Sequence, residues 1–273
     1  MSILSEFYGF CARCGSRLAD GHLLPRKTIV ITFIAQSLIV QLGNAKFFGG
    51  LSNVEVSKKY PSLVTPSGFA FAIWGLIYVW ETIAVAHCYL TLRPSRSLEI
   101  AGIWFVMANI FQLLWALVFS RELLKVSSIF ITAIAFCLCI CLENLDNPHT
   151  IERYLIVLPI SLHAGWVTAA SLVNINLTFV QMNASSEIQL TVAFASVYLG
   201  LGAAFIFAAF RHNAIFALSL AWAFFAIYKE LPASKALPQL DSTTRSAFRL
   251  TCICAAGLCL HLALTTIAFS FLQ

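Results

Sequence analysis

Charge is the scarcest property of this chain: 12 acidic and 17 basic residues make up only 11% of 273 positions. A water-facing domain carries about 25% charge, so a soluble globule is excluded. Six of the 29 charged residues precede the first long apolar run. Most of the others sit between such runs, and no stretch outside them is long enough to bury a core of its own. The sequence also lacks a phosphate loop, an HExxH pair and a nucleophile elbow, so no residue pattern points to enzymatic turnover. Residues 1–27 hold Glu6, Asp20, Pro25 and two cysteines without an apolar stretch, which does not read as a cleavable signal peptide. Arg13, Arg17 and Arg26 in this tail leave organelle targeting open.

What is present in excess is apolarity, 60% of residues with a mean hydropathy of +0.85. A bilayer core of about 30 Å needs roughly 20 apolar residues per helix. Eight segments approach that length, near 28–43, 67–90, 100–120, 126–142, 154–180, 189–210, 213–229 and 247–272. The fourth and seventh are the shortest. The expectation is therefore an all-α, polytopic transmembrane bundle of about eight helices, integral to a membrane whose identity, organellar or plasma, stays open.

The net charge of +5 comes from Lys and Arg scattered at the ends of the apolar runs, which reads as interfacial anchoring and not as a nucleic-acid surface. Eight basic residues fall on one side of the bundle and nine on the other, so orientation is not decided. Seven of the nine cysteines lie in or beside apolar runs and behave as small hydrophobes. Cys11 and Cys14 form a single CxxC, a weak redox or metal signal by itself.

Two segments concentrate polar and aromatic groups. In the second, Thr65, Pro66, Ser67 and Gly68 make a turn, after which Phe69, Phe71, Trp74 and Tyr78 follow in the first helical turns. An interfacial aromatic belt and a binding wall both fit this pattern. Trp74, Tyr78 and Glu81 share one face, and Glu81 is the one carboxylate deep in an apolar run. It must be protonated, paired or hydrated there. In the fifth segment, Pro159, His163, Trp166, Ala170, Asn174, Thr178 and Gln181 recur every three or four residues on one face. That face turns either toward other helices, as interhelical glue, or toward a ligand. Gly200, Gly202, Ala203 and Ala204 form a small-residue patch expected to pack closely on a neighbour.

The run TPSGFAFAIWGLIY at 65–78 resembles the turn into the second helix of the tryptophan-rich sensory protein / translocator protein (peripheral benzodiazepine receptor) family. LPISLHAGWVTAASLVNINLTF at 158–179 is similar to that family's fifth helix, and ANIFQLLWALVFS at 108–120 to its third. Pro66 stands alone where the family has paired prolines, and the 44–65 loop has no Trp. The resemblance implies a tail at 1–27, a five-helix translocator-like bundle at 28–182 and three additional transmembrane helices at 183–273. It further implies a pocket between the first, second and fifth helices, capped by the 44–65 loop, for a tetrapyrrole or sterol-like lipid. Pro66, Phe71, Trp74, Tyr78, Glu81, His163, Trp166 and Asn174 would line it, with Lys58 and Lys59 at its rim.

The function expected on these grounds is binding of a hydrophobic small molecule, with a role in transport or sensing, and no enzymatic activity. The alternatives are a proton-coupled transporter titrating Glu81 and His163, and a structural subunit. The partners implied are membrane lipids, the hydrophobic ligand, and a second copy or a larger membrane complex. No fixed cofactor beyond a bound tetrapyrrole or lipid is implied.

Overall fold

A computed structural model describes residues 26–47, 49–90, 96–145 and 153–270. Cys11, Cys14 and the tail before Arg26 lie outside the described residues. Within them the structure is helical without strands: α1 Arg26–Asn44, α2 Ile73–Leu90, α3 Arg96–Ser120, α4 Leu124–Glu143, α5 Leu158–Gln181, α6 Ser186–Arg211, α7 Ala214–Glu230 and α8 Ser242–Ser270. A short loop helix, Asn53–Lys59, joins α1 to α2.

Six helical stretches are long and apolar enough to cross a membrane, and α1 adds a shorter apolar run, Lys27–Gly43. The chain is an integral, multi-pass membrane protein. The expected fourth segment proves to be a full helix of 20 residues. The seventh stays short: 17 residues rise about 26 Å at about 1.5 Å each, less than the hydrocarbon core. Helix α7 tolerates this because it lies inside the bundle, against α5, α6 and α8. Its Ala217, Leu220, Ala223 and Phe224 are buried.

Local chemistry sets the helix ends. His212 takes a left-handed φ of 49° after α6, and Asn213 caps α7 by accepting from Phe216 N at 3.1 Å. Two residues thus reverse the chain, and Phe207 and Phe216 stack across the reversal with ring centres 3.9 Å apart. At the start of α5, Pro159 lacks the N–H that would bond back into the preceding helical turn, and so frees a carbonyl there. A π-helical turn, Arg153–Val157, precedes it, and the Tyr154 carbonyl accepts from Trp80 Nε1 at 3.0 Å.

Helix α5 is the axis of the fold, in contact with α2, α4, α6 and α7. Its approach to α7 depends on Gly165. A Cβ there would meet Phe216 O and Ser219 Cβ, each at 2.7 Å. One apolar core runs continuously from Phe33 in α1 to Ala263 in α8.

Candidate ligand cavity

The cavity begins with its lid. Ser52 caps the loop helix and Glu55 closes a capping box on it, while Lys46 Nζ pairs with Glu55 at 2.5 Å. These bonds, with Lys46 first and Ser52 second, hold the Glu55 carboxyl down at about 2. At the other end Lys59 Nζ lies 2.5 Å from Glu122 Oε2, and Tyr60 donates to the same oxygen at 2.7 Å. The Lys59 bond and then the Tyr60 bond keep Glu122 below its ordinary value, and Glu122 raises Lys59 in return. Gly50, at φ 90°, brings the loop against α3 so that Leu51 N donates to Ser120 O at 2.9 Å.

Under this lid lies a cavity walled by Phe71, Trp74, Trp115, Phe119 and Trp166, with Asn53 and Ser57 of the loop helix above and Ala223 and Ile227 of α7 on one side. Trp74 is its hub. Its ring centre lies 5.6 Å from Tyr78, 6.5 Å from Trp115 and 6.2 Å from Trp166, and Phe71 meets Trp166 edge-on at 6.2 Å. Such offset and edge-on pairs add about 0.5–1.5 kcal/mol each beyond area burial. The indole Nε1 of Trp166 is buried without a hydrogen-bond partner. Free volume within the cavity is about 50 Å³. A drug-sized ligand occupies a pocket of roughly 300–1,000 Å³, so its walls must part to admit one.

Beside the aromatic wall runs a polar chain whose members Glu81, His163 and Gln112 are buried and whose last, Tyr78, is half-buried. Glu81 is fully buried, with Oε1 2.8 Å from His163 Nδ1. His163 Nε2 is 3.2 Å from Gln112 Oε1, and Gln112 Nε2 donates to the Tyr78 hydroxyl at 3.1 Å. Trp74 meets the His163 ring edge-on at 5.6 Å. Pairing answers the cost of placing Glu81 in an apolar helix.

Of the eight residues singled out in the sequence, Pro66, Phe71, Trp74, Trp166 and Asn174 line the cavity, while Tyr78, Glu81 and His163 form the polar chain next to it. Asn174 has its amide fully engaged: Oδ1 accepts from Trp115 Nε1 and Ser127 Oγ, each at 3.1 Å, and Nδ2 donates to Ser127 and Ser128 Oγ. It therefore ties α3, α4 and α5 together and contributes no free polar group. Lys59 is likewise engaged by Glu122 and is no open rim cation.

The walls also differ from expectation. Helix α1 contributes no lining residue, because it packs outside against α2 and α3, with Phe33 stacked on Phe105 at 6.3 Å. Helices α3 and α7 take its place. Helix α7 also holds the turn into α2: Ser67 donates to Glu230 Oε2 at 2.7 Å, Ser67 N to Ala226 O at 3.1 Å, and Trp222 Nε1 to Ala70 O at 3.2 Å. Reasoning from sequence missed Phe119, Ala223 and Ile227, which carry no polar or periodic signal of a site. Gln112, an amide inside an apolar helix, is with His163 an expected partner for Glu81; His163 makes that contact and Gln112 stands one bond further along, on His163.

The fold and cavity define a polytopic helical membrane protein with an aromatic-walled internal chamber. The chain belongs to the TSPO-like protein family, whose model matches residues 26–265 and so extends across α6, α7 and most of α8. No curated protein and no solved structure matches it.

Proposed function

We propose that the cavity binds a hydrophobic small molecule, and that the protein acts by binding it for transport or sensing and not by turning it over. The observation that carries this reading is the apolar chamber itself, walled by aromatic residues of three segments of the bundle and closed by a salt-bridged loop helix. Family membership supports it. Among the described residues, none that lines the chamber is ionisable. Burying an unpaired carboxylate there is costly, so a sterol-like neutral lipid fits better than a tetrapyrrole. A tetrapyrrole would have to keep its carboxylates at the mouth, beside the loop helix that carries Lys58.

Mass spectrometry and an absorption spectrum of the purified protein identify any ligand it carries. Titration with the fluorescent sterol dehydroergosterol and with protoporphyrin, read by tryptophan quenching, tests the site. Saturable sterol binding that weakens about tenfold or more in Trp166→Ala supports the reading. Equal isotherms for the wild type and Trp166→Ala would mean adsorption to apolar surface, and would leave the structural-subunit alternative.

A further inference from the structure

The contacts of His163 account for its protons one by one. With the Gln112 amide donating to Tyr78, its Oε1 faces His163 Nε2 at 3.2 Å, so Nε2 carries a hydrogen. The 2.8 Å contact between His163 Nδ1 and Glu81 Oε1 holds one further proton. It resides either on the carboxyl, donating to the ring, or on the ring, donating to the carboxylate. Both forms are neutral overall, which suits an apolar interior. Glu81 Oε2 is buried without a partner and offers an unused acceptor at which a proton can arrive or leave.

Loss of that proton to water leaves one negative charge and rearranges the chain of bonds. The remaining ring hydrogen moves to Nδ1 to serve the carboxylate, which leaves Nε2 bare. Gln112 satisfies it by turning its amide over, and its Oε1 then accepts from the Tyr78 hydroxyl. The bonds beyond His163 thus reverse direction. Their last member, Tyr78, is stacked 5.6 Å from Trp74, which also touches His163 and forms the cavity wall. The titratable groups that face the pair are Tyr78 on α2 and Cys141 on α4, with Cys88 next to Cys141. The apolar stretches 28–43 of α1, 100–120 of α3 and 214–227 of α7 contain no Asp, Glu, His, Cys, Tyr, Lys or Arg.

We propose that Glu81, His163, Gln112 and Tyr78 form a buried site for one exchangeable proton, and that its occupancy is coupled to that of the cavity through Trp74. The coupling rests on the ligand-binding reading above; the proton site does not.

Infrared difference spectra of the full chain in phosphatidylcholine vesicles, recorded across a pH titration without ligand, test the proton site. A carboxyl band and an imidazole band titrate together, Glu81→Gln removes both, and His163→Gln leaves a carboxyl band that titrates alone at another pH. Survival of both bands in Glu81→Gln, or independent titration in the wild type, overturns the site. Circular dichroism melts confirm that each variant is folded, and Gln112→Leu, which removes the partner of His163 Nε2 but leaves the Glu81–His163 contact in place, shifts the pH of the titration while the two bands still move together. Coupling is read from dehydroergosterol affinity: it changes about fivefold or more across the titration in the wild type and stays constant in Glu81→Gln and Gln112→Leu. Sterol affinity independent of pH in the wild type overturns the coupling. Absence of sterol binding at every pH overturns the ligand reading and the coupling with it, while the infrared result still decides the proton site.

Discussion

Replacing Gly165 by Ala adds one methyl group at the closest approach of α5 and α7. The new Cβ would stand 2.7 Å from the Phe216 carbonyl oxygen and 2.7 Å from Ser219 Cβ. Neither is the tip of a flexible side chain, so the helices must separate by roughly half an ångström or more. Overpacking of this kind costs about 1–3 kcal/mol. The intrinsic helix preference for Ala over Gly returns about 0.5–1 kcal/mol, leaving a net loss from near zero to about 2.5 kcal/mol. Gly202→Ala supplies the reference, since its Cβ meets nothing within 4 Å. It shares the propensity gain, so the difference between the two variants isolates the packing cost. At roughly 2–4 °C per kcal/mol for a chain of this size, Gly165→Ala melts about 2–12 °C below Gly202→Ala in detergent. Separation also stretches the 3.0 Å bond from Ser219 Oγ to Leu162 O and shifts the α7 wall, so sterol affinity changes in Gly165→Ala alone. Identical melts and affinities for the two glycine variants would refute the close α5–α7 packing.

Acidification loosens the lid. Glu122 is depressed in the folded protein, so its stabilisation is present above the ordinary 4.5 and is lost as pH falls through the folded value; Glu55 follows near 2. The protection factors of amides across residues 51–60, with intrinsic exchange rates divided out, therefore fall between about pH 4.5 and pH 2, whereas those in α5 do not. Lys59 has the opposite sign: its contribution is complete below 10.5 and fades only above it. Asn174→Leu strands the Trp115 indole and costs about 1–2 kcal/mol in detergent unfolding. Gly50→Ala directs its Cβ at the Ser120 carbonyl from a φ of 90°. The strain, about 1–3 kcal/mol, increases protease cleavage of the 44–60 loop.

Helical periodicity is legible wherever polar groups interrupt an apolar run. Glu81 and His163 each lie on a face that three- and four-residue spacing identifies, and the structure brings those faces together. The stripe through Asn174 and Thr178 was equally visible, but its use as glue depended on Ser127 and Ser128, ordinary small residues in α4. Spacing along one helix says which side chains share a face, not which helix they meet. That limit explains the α1 correction, since α1 and α7 are both apolar and only packing selects the one that walls the cavity. The lid followed a similar course: Lys58 and Lys59 looked alike as a rim, and the acid that engages Lys59 is Glu122, more than 60 positions away in the turn after α3.

The hold of α7 on the turn into α2 sets an order of assembly during synthesis. Ser67 and Ala70 leave the ribosome long before Glu230, Ala226 and Trp222 exist, since their bonds span 163 and 152 residues. A nascent chain inserted through α5 thus has its aromatic residues in the bilayer with one side of the chamber still open to lipid. Only insertion of the short, Ala-rich α7 closes that side and ties down Ser67. A polypeptide arrested before residue 230 would expose the unfinished chamber to membrane quality control, and a lipid already residing there at closure would be retained as the first occupant.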